Sequence, residues 1–415
     1  MLARQRGLWP LCAVYCAWLV GSQWTNVLLS FLLWNSRPQM SVVQMGYVQA
    51  FGSLWNAAGA ALLGPATQWL GYRGSAMLML VTTAAYYALL SQCEDFLAFL
   101  LVQTLRVGYQ FDALAEAFAL GASASERHYA QSMLRLNWPQ AIALLVGPLL
   151  AAKLAALGGL HGSQLACGGW LLVVGLPLAH FALSTERRAG EDAAVGADDS
   201  WGLRSTWAML RTKAALRNAL CVRLLLVVAH VTHELIFRQF LLRNLYRGPW
   251  SSAAMSLTTA GSVGLAQLLI LPNLQRRFTP RQLLQISIFF QILCYGVVAS
   301  VGIRNFERVL LLTAVQSASY AIAYAESGAQ IAGAVDSEQI DRAVGAAAAA
   351  VWLAQIAMPA LSTHLVTRWH YVCAFYLSAC VASVNFAYVT ASCRYLDART
   401  RALLPTSTLT ANIAD

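Results

Sequence analysis

Twelve long apolar stretches follow one another along this chain, and no other feature constrains its fold as tightly. A helix needs roughly 20 apolar residues to cross a bilayer. Lipid offers bare backbone no hydrogen-bond partner, so spanning segments must be helices or closed barrels. Barrel strands alternate over about 10 residues; the runs here are longer and uniformly apolar. The sequence predicts an all-α membrane protein with spans at 8–34, 43–66, 75–93, 96–120, 134–158 and 164–184. A second set follows at 219–245, 252–272, 282–302, 308–333, 343–366 and 370–393. The first run is too long for a cleaved signal peptide and lacks a small-residue cleavage site, so it reads as a spanning helix.

Only 11% of residues are charged and 58% are hydrophobic, whereas a soluble domain carries about 25% charged residues. A net charge of +10 would suggest nucleic acid in a soluble chain. Here the basic residues sit mainly in short loops, so orientation explains them and no nucleic-acid partner is expected. Cytoplasmic termini put 17 Arg and Lys inside against 6 outside. The positive-inside rule thus gives a multi-pass protein with both termini cytoplasmic, in the plasma membrane or an endomembrane. The nine cysteines show no ligand spacing and read as reduced structural thiols. No phosphate-cradling glycine loop and no Gly-x-Ser-x-Gly elbow occurs, which argues against an ATP-driven pump and against an enzyme. No cofactor is expected.

Residues 185–200 (TERRAGEDAAVGADDS) have the polar composition of a flexible linker. After them Leu203, Trp207, Leu210 and Ala214 share one helical face, flanked by Arg204, Arg211 and Lys213. That pattern predicts a basic amphipathic helix on the inner leaflet, with a partner-binding helix as the alternative. The expected division is a six-helix bundle at 1–184, a cytoplasmic linker with its helix at 185–218, a second six-helix bundle at 219–394 and a cytoplasmic tail at 395–415. The halves repeat weakly. Ser125-Glu126 recurs as Ser337-Glu338, Gly147-Pro148 as Met358-Pro359, and Pro65 with Gln68 as Pro272 with Gln275. Three matches in order argue for duplication and two pseudo-symmetric bundles.

The junction of the second and third spans reads Gly64-Pro65-Ala66-Thr67-Gln68-Trp69-Leu70-Gly71-Tyr72-Arg73. It resembles the signature loop of the major facilitator superfamily, keeping both glycines and the last basic residue. In the fifth span, Ala143 to Ala152 (ALLVGPLLAA) is similar to that family's Gly-Pro element, with Gly147-Pro148 intact, and Arg106 sits where the family often carries an intramembrane Arg. Gly46, Tyr47 and Gln49, with Glu126-Arg127, most resemble the solute carrier 22 member 18-like branch. That branch is akin to drug:proton antiporters and is also called organic-cation-transporter-like. The resemblance implies a secondary transporter, gating roles for Gly64, Gln68, Gly71, Arg73, Gly147 and Pro148, and a cavity lined by spans 1, 4, 7 and 10. Gln68 departs from the family, which places an acidic residue there, so a charge-based latch is not expected at that position.

Charge inside a bilayer is expensive, about 2.5 to over 10 kcal/mol per residue, so each such group needs a reason. The fourth span carries Arg106, then Asp112 and Glu116 one turn apart on one face. Two carboxylates facing a wet cavity can share a proton; alternatively Glu116 is solvated at the helix end or paired with a loop Arg. The seventh span puts His230, Glu234 and Arg238 on one stripe, with His233 on an adjacent line. A histidine beside a carboxylate suits a proton relay; the plainer reading is a self-neutralising Glu234–Arg238 pair. The His-x-x-His-Glu order differs from His-Glu-x-x-His, and no metal site is expected. The tenth span adds Tyr320, Tyr324, Glu326 and Gln330. Under the family expectation Asp112, His230, Glu234 and Glu326 converge near mid-membrane. Trp18, Trp24, Tyr109 and Tyr324 would then offer cation–π faces, or serve as packing; Trp55 and Trp170 are assigned to packing.

Two functional readings follow. The first is a monomeric secondary transporter of a small organic solute, cationic or amphipathic, working by alternating access and coupled to protons. The second is a transporter-like membrane scaffold or receptor without flux, motivated by Gln68 and by the linker helix.

Overall fold

The computed structural model describes residues 8–122, 126–183, 203–245, 249–301, 305–335 and 340–403, all helices and short connections. Two glycines set its topology. Val42–Leu90 and Glu126–Trp170 are helical throughout except at Gly71 (φ 68°, ψ 173°) and Gly159 (φ 74°, ψ 174°). At 1.5 Å per residue the first would extend about 73 Å, more than twice a hydrocarbon core of about 30 Å.

The chain instead folds back at each glycine, whose positive φ other residues rarely adopt. Asn56 and Tyr86, equally far from Gly71, both meet the stretch 103–110: Gln110 donates to the Asn56 carbonyl at 2.7 Å and Tyr86 donates to Gln103 at 3.4 Å. Likewise a Cβ at Gly147 would sit 2.7 Å from the Val20 carbonyl oxygen, and Trp24 donates to Ser163 at 3.0 Å. Positions 147 and 163, on either side of Gly159, therefore flank the same part of the first helix.

With those reversals the described residues make twelve traverses. They are α1 (Leu8–Trp34), α2 (42–70), α3 (72–90), α4 (96–122), α5 (126–158) and α6 (160–182), then α7 (Ala214–Leu245), α8 (249–275), α9 (Pro280–Val301), α10 (Phe306–Gly333), α11 (Ile340–Arg368) and α12 (Tyr371–Leu403). A Ser41–Gln44 capping box starts α2, and the Asp95 side chain accepts from Ala98 N at 2.7 Å to start α4.

Three expectations need correction. The predicted loops before the third and sixth spans collapse to single glycines. The fourth span is not one helix: it tightens over Gln103–Gly108, leaves helical geometry at Tyr109, and resumes at Phe111. Helix α12 runs to Leu403, past the predicted end at 393, because its last turns are polar, good helix formers that need water rather than lipid. The Ser125 and Ser337-Glu338 match, the linker 185–200 and the end of the tail lie outside the described residues.

Six described stretches are long and apolar enough to cross a membrane: Trp9–Trp34, Pro139–Phe181, Ala214–Phe237, Pro280–Ser300, Ala346–Arg368 and Tyr371–Ser392. The second contains the Gly159 reversal and so accounts for α5 and α6. Helix α8 is less apolar because Ser251, Ser252, Ser256 and Thr259 on it line an internal cavity.

Within the first bundle α1 is gripped by α5 and α6, with Trp18, Trp24, Tyr87, Phe99 and Phe111 at the centre of the core. In the second, Val222 and Leu226 of α7 pack with Ile288 and Tyr295 of α9 and Ala382 of α12. The bundles meet along α2–α11 and α5–α8. At the end distal to the termini, Val42 of α2 is buried among Ile236, Phe237, Val309 and Phe375 of the other bundle. One turn on, Tyr47 Oη lies 2.7 Å from His364 Nε2.

The short helix Leu203–Thr212 also touches the bundles. Met209 on it is buried in a cluster with Leu216, Ile331, Ala343 and Ala347. Part of its apolar face therefore rests on α7, α10 and α11 rather than on lipid. Apolar contact with a fixed protein surface satisfies the same burial as contact with acyl chains.

Candidate functional site

A cavity of about 490 Å³ lies between the bundles, lined by α1, α5, α7, α8 and α10. Its polar wall comes from amides and hydroxyls: Gln23, Asn26 and Gln140 on one side, Ser252, Gln267, Gln316 and Ser317 on the other. Its charge comes from α7. His230 and Glu234 are one helical turn apart, Nε2 to Oε2 3.4 Å. The other ring nitrogen of His230, Nδ1, is 3.0 Å from Gln316 Nε2, and the imidazole stacks on Tyr320 with centroids 3.6 Å apart. A ring fixed at both nitrogens and on one face holds its carboxylate neighbour in a defined place. The pair is a close ionisable couple facing open volume, suited to binding a cation or exchanging a proton.

His233 is different. It is 5% exposed and packed among Phe237, Tyr295 and Phe375, with Nε2 lacking a hydrogen-bond partner. Tyr324 lines the cavity and stacks near Tyr320. Among the described residues no group of three or more His, Cys, Asp or Glu side chains could hold a metal ion.

The expected convergence of four ionisable groups is not what forms. His230 and Glu234 share the cavity; Asp112 and Glu326 do not line it, nor do Arg106 and Gln330. The reason for Asp112 is the break in α4, which starts a fresh helix at Phe111 and turns its first residues toward α1. Tyr15 Oη donates to Asp112 Oδ1 at 2.5 Å, and Gln140 Nε2 donates to Tyr15 Oη at 3.2 Å. Since Gln140 lines the cavity, Asp112 is tied to it by two hydrogen bonds. Glu326 is 2% exposed and accepts from Gln275 Nε2 at 2.8 Å, at the end of α8. The side chains of Glu116, Arg238 and Gln68, and the surroundings of Gly64 in α2, lie outside what is described.

Arg106 is enclosed in the first bundle. With the Asn56 amide oxygen turned toward it, Asn56 accepts from Arg106 Nη2 at 2.9 Å and donates to the Arg106 carbonyl at 3.0 Å. The Tyr109 ring lies 5.6 Å from its guanidinium carbon. Arg73 Nη2 lies 2.8 Å from His180 Nδ1, tying the start of α3 to the end of α6. Trp18 and Trp24 are fully buried and donate to Thr83 and Ser163. Trp170 Nε1 donates to the Ala17 carbonyl at 2.9 Å. These indoles are packing, and the Tyr109 face is occupied by Arg106.

Sequence reasoning missed Arg223, which is buried in α7 and capped by Tyr324. Its signal was present, a cation inside an apolar run on the stripe of His230 and Glu234. It also missed Tyr15, Gln140 and Gln316, because neutral polar residues in a spanning helix carry no cost large enough to mark them.

No family model matches the sequence, and no curated protein does. Solved structures do. The chain is similar to the human organic anion transporter MFSD10 over 93% of its own length and 99% of that protein's, at 17% identity and a TM-score of 0.66. It is similar to the nucleoside transporter NupG over 92% and 99%, at 15% identity and a TM-score of 0.73. A bacterial homolog of the human lysosomal transporter Spinster, inward-facing and occupied, matches over 93% and 96%, at 13% identity and a TM-score of 0.68. At these identities the likeness establishes the fold: the all-α, two-bundle major facilitator architecture.

Proposed function

We propose that this chain is a secondary transporter of a small organic solute, with the central cavity as its solute chamber and alternating access as its mechanism. The observation that carries the reading is the His230–Glu234 couple facing a cavity of about 490 Å³ between the two bundles. A costly ionisable pair persists inside a membrane where it binds or relays something. Glu234 takes a cationic group of a cationic or amphipathic solute, and Tyr320 with Tyr324 offers ring faces to its apolar part. The transporters named above are other proteins; here they support a transporter only through the shared fold.

Coupling follows from the same residues. A proton on Glu234 and a cation against it exclude each other, so protons entering from one side release solute gathered from the other. Asp112 supplies a second proton site, joined to the chamber through Tyr15 and Gln140. The likeness to the solute carrier 22 member 18-like branch, with its drug:proton antiporters, agrees with this coupling. The bundles at 1–184 and 219–394 rock as units, linked by 185–218, in a monomer with the tail at 395–415 and both termini in the cytoplasm. The closed distal end then faces outward, and Gly71, Arg73, Gly147 and Pro148 shape the helix contacts that slide.

The test begins with a thermal-stabilisation screen of purified protein against cations, drugs, sugars and carboxylates, since a bound solute raises apparent stability. The best stabiliser is then loaded into proteoliposomes under an imposed pH gradient. Flux should follow the gradient, and Asp112→Asn should leave flux but weaken its dependence on pH. Unchanged coupling in that variant would remove Asp112 from the mechanism; no gradient-driven flux of any stabiliser would contradict the transporter reading.

A further inference from the structure

We infer that the chamber has a second, anion-binding pole at Arg223, so that its solute is amphoteric: a cationic group at Glu234 and a carboxylate, sulfonate or phosphate at the opposite end. The inference rests on the solute-chamber reading and narrows its solute class.

Helix α7 presents Arg223, His230 and Glu234 at intervals of seven and eleven residues. At about 100° per residue all three fall within roughly 20° of one line, with Arg223 and Glu234 about 16 Å apart along the axis. The arginine is 8% exposed. Its Nη1 donates to the Tyr324 carbonyl and to Ser327 Oγ, and its guanidinium carbon lies over the Tyr324 ring. These partners are neutral, and Nε has none. Among the described residues no carboxylate pairs with it. A buried guanidinium without a counter-charge is costly, and its planar fork fits an oxyanion two bonds at a time.

Tyr324 is what separates this cation from the chamber. Its ring lies over the guanidinium, Tyr324 lines the cavity while Arg223 does not, and Tyr324 is 37% exposed. Rotation of that side chain opens Arg223 to the chamber, and an anionic group entering there supplies the missing counter-charge. Serine, threonine and amide side chains along α8 and α10 then line the space between the two poles.

The test uses full-length protein in nanodiscs and calorimetric binding of aminohexanoate, aminooctanoate and aminodecanoate, each compared with its ω-amino amide. The amide keeps the amine and loses the anion. At least one acid should bind about tenfold more tightly than its amide, the worth of one charge-assisted hydrogen bond. Arg223→Gln should erase that difference while leaving the amide's affinity alone, and Arg223→Lys should retain part of it. Equal affinity of acid and amide at every chain length in the unaltered protein would overturn the proposal, as would an intact preference in Arg223→Gln. Where Arg223→Gln fails to fold, the unaltered protein and Tyr324→Ala decide, the latter keeping or raising the preference for acid. Gradient-driven flux without any acid preference would sink the anionic pole alone. An acid preference without flux would sink the transporter reading alone.

Discussion

Glu234 and Glu326 are both carboxylates inside spanning helices, yet their surroundings assign them different work. Glu234 faces a chamber beside a histidine that Gln316 and Tyr320 hold in place. Glu326 is buried against Gln275 and lines no chamber. Glu234→Gln should therefore weaken binding of an alkylamine probe about tenfold by calorimetry, the loss of one ion-assisted contact. Glu326→Gln keeps a partner for the Gln275 amide and should leave that affinity within about twofold, well inside the same scale. The His230–Glu234 stripe was legible in the sequence because a one-turn spacing dictates a shared face. Arg223 lies on the same stripe but went unread, since a basic residue near the start of a span is ordinarily taken as reaching for the interface. Nor was the link from Gln140 through Tyr15 to Asp112 legible, since it depends on three helices meeting and leaves no periodic trace.

Hydropathy was enough to find twelve traverses, because each needs its own length of apolar chain. It did not find how they join. Gly71 and Gly159 turn the chain in a single residue with positive φ, and hydropathy has no term for a dihedral angle. The interruption of α4 at Tyr109 was hidden for the same reason, as no proline marks it. The reversals give a paired prediction. Gly159→Ala forces an L residue into a positive-φ, extended-ψ conformation essentially reserved for glycine and should cost about 1 to 3 kcal/mol, read as a lower unfolding temperature in detergent. Gly158→Ala, one position earlier in ordinary helical geometry with open space around it, should be neutral or slightly stabilising, since alanine favours helix over glycine by about 1 kcal/mol. Equal losses in the two variants would mean that the backbone angle at Gly159 is not what sets the turn.

At the scale of the whole molecule, the duplication seen in sequence becomes two bundles that touch along α2–α11 and α5–α8 and enclose the chamber between them. Their distal ends are shut by the burial of Val42 and by the Tyr47–His364 contact. The proposed alternating access requires that closure to break and expose the chamber on the other side, so the contact has to be weak enough to open. Its polar part is one hydrogen bond of about 1 kcal/mol between exposed side chains, and its apolar part is one small side chain, Val42. The measurement that tests this most directly is the distance between spin labels at Gln39→Cys and Trp369→Cys, on the distal connections of the two bundles, in lipid nanodiscs with the native cysteines replaced. Two populations should appear, the longer one gaining weight when Tyr47→Phe removes the bond and shifting again with pH or bound solute. One unchanging distance under all of those conditions would contradict alternating access through this chamber.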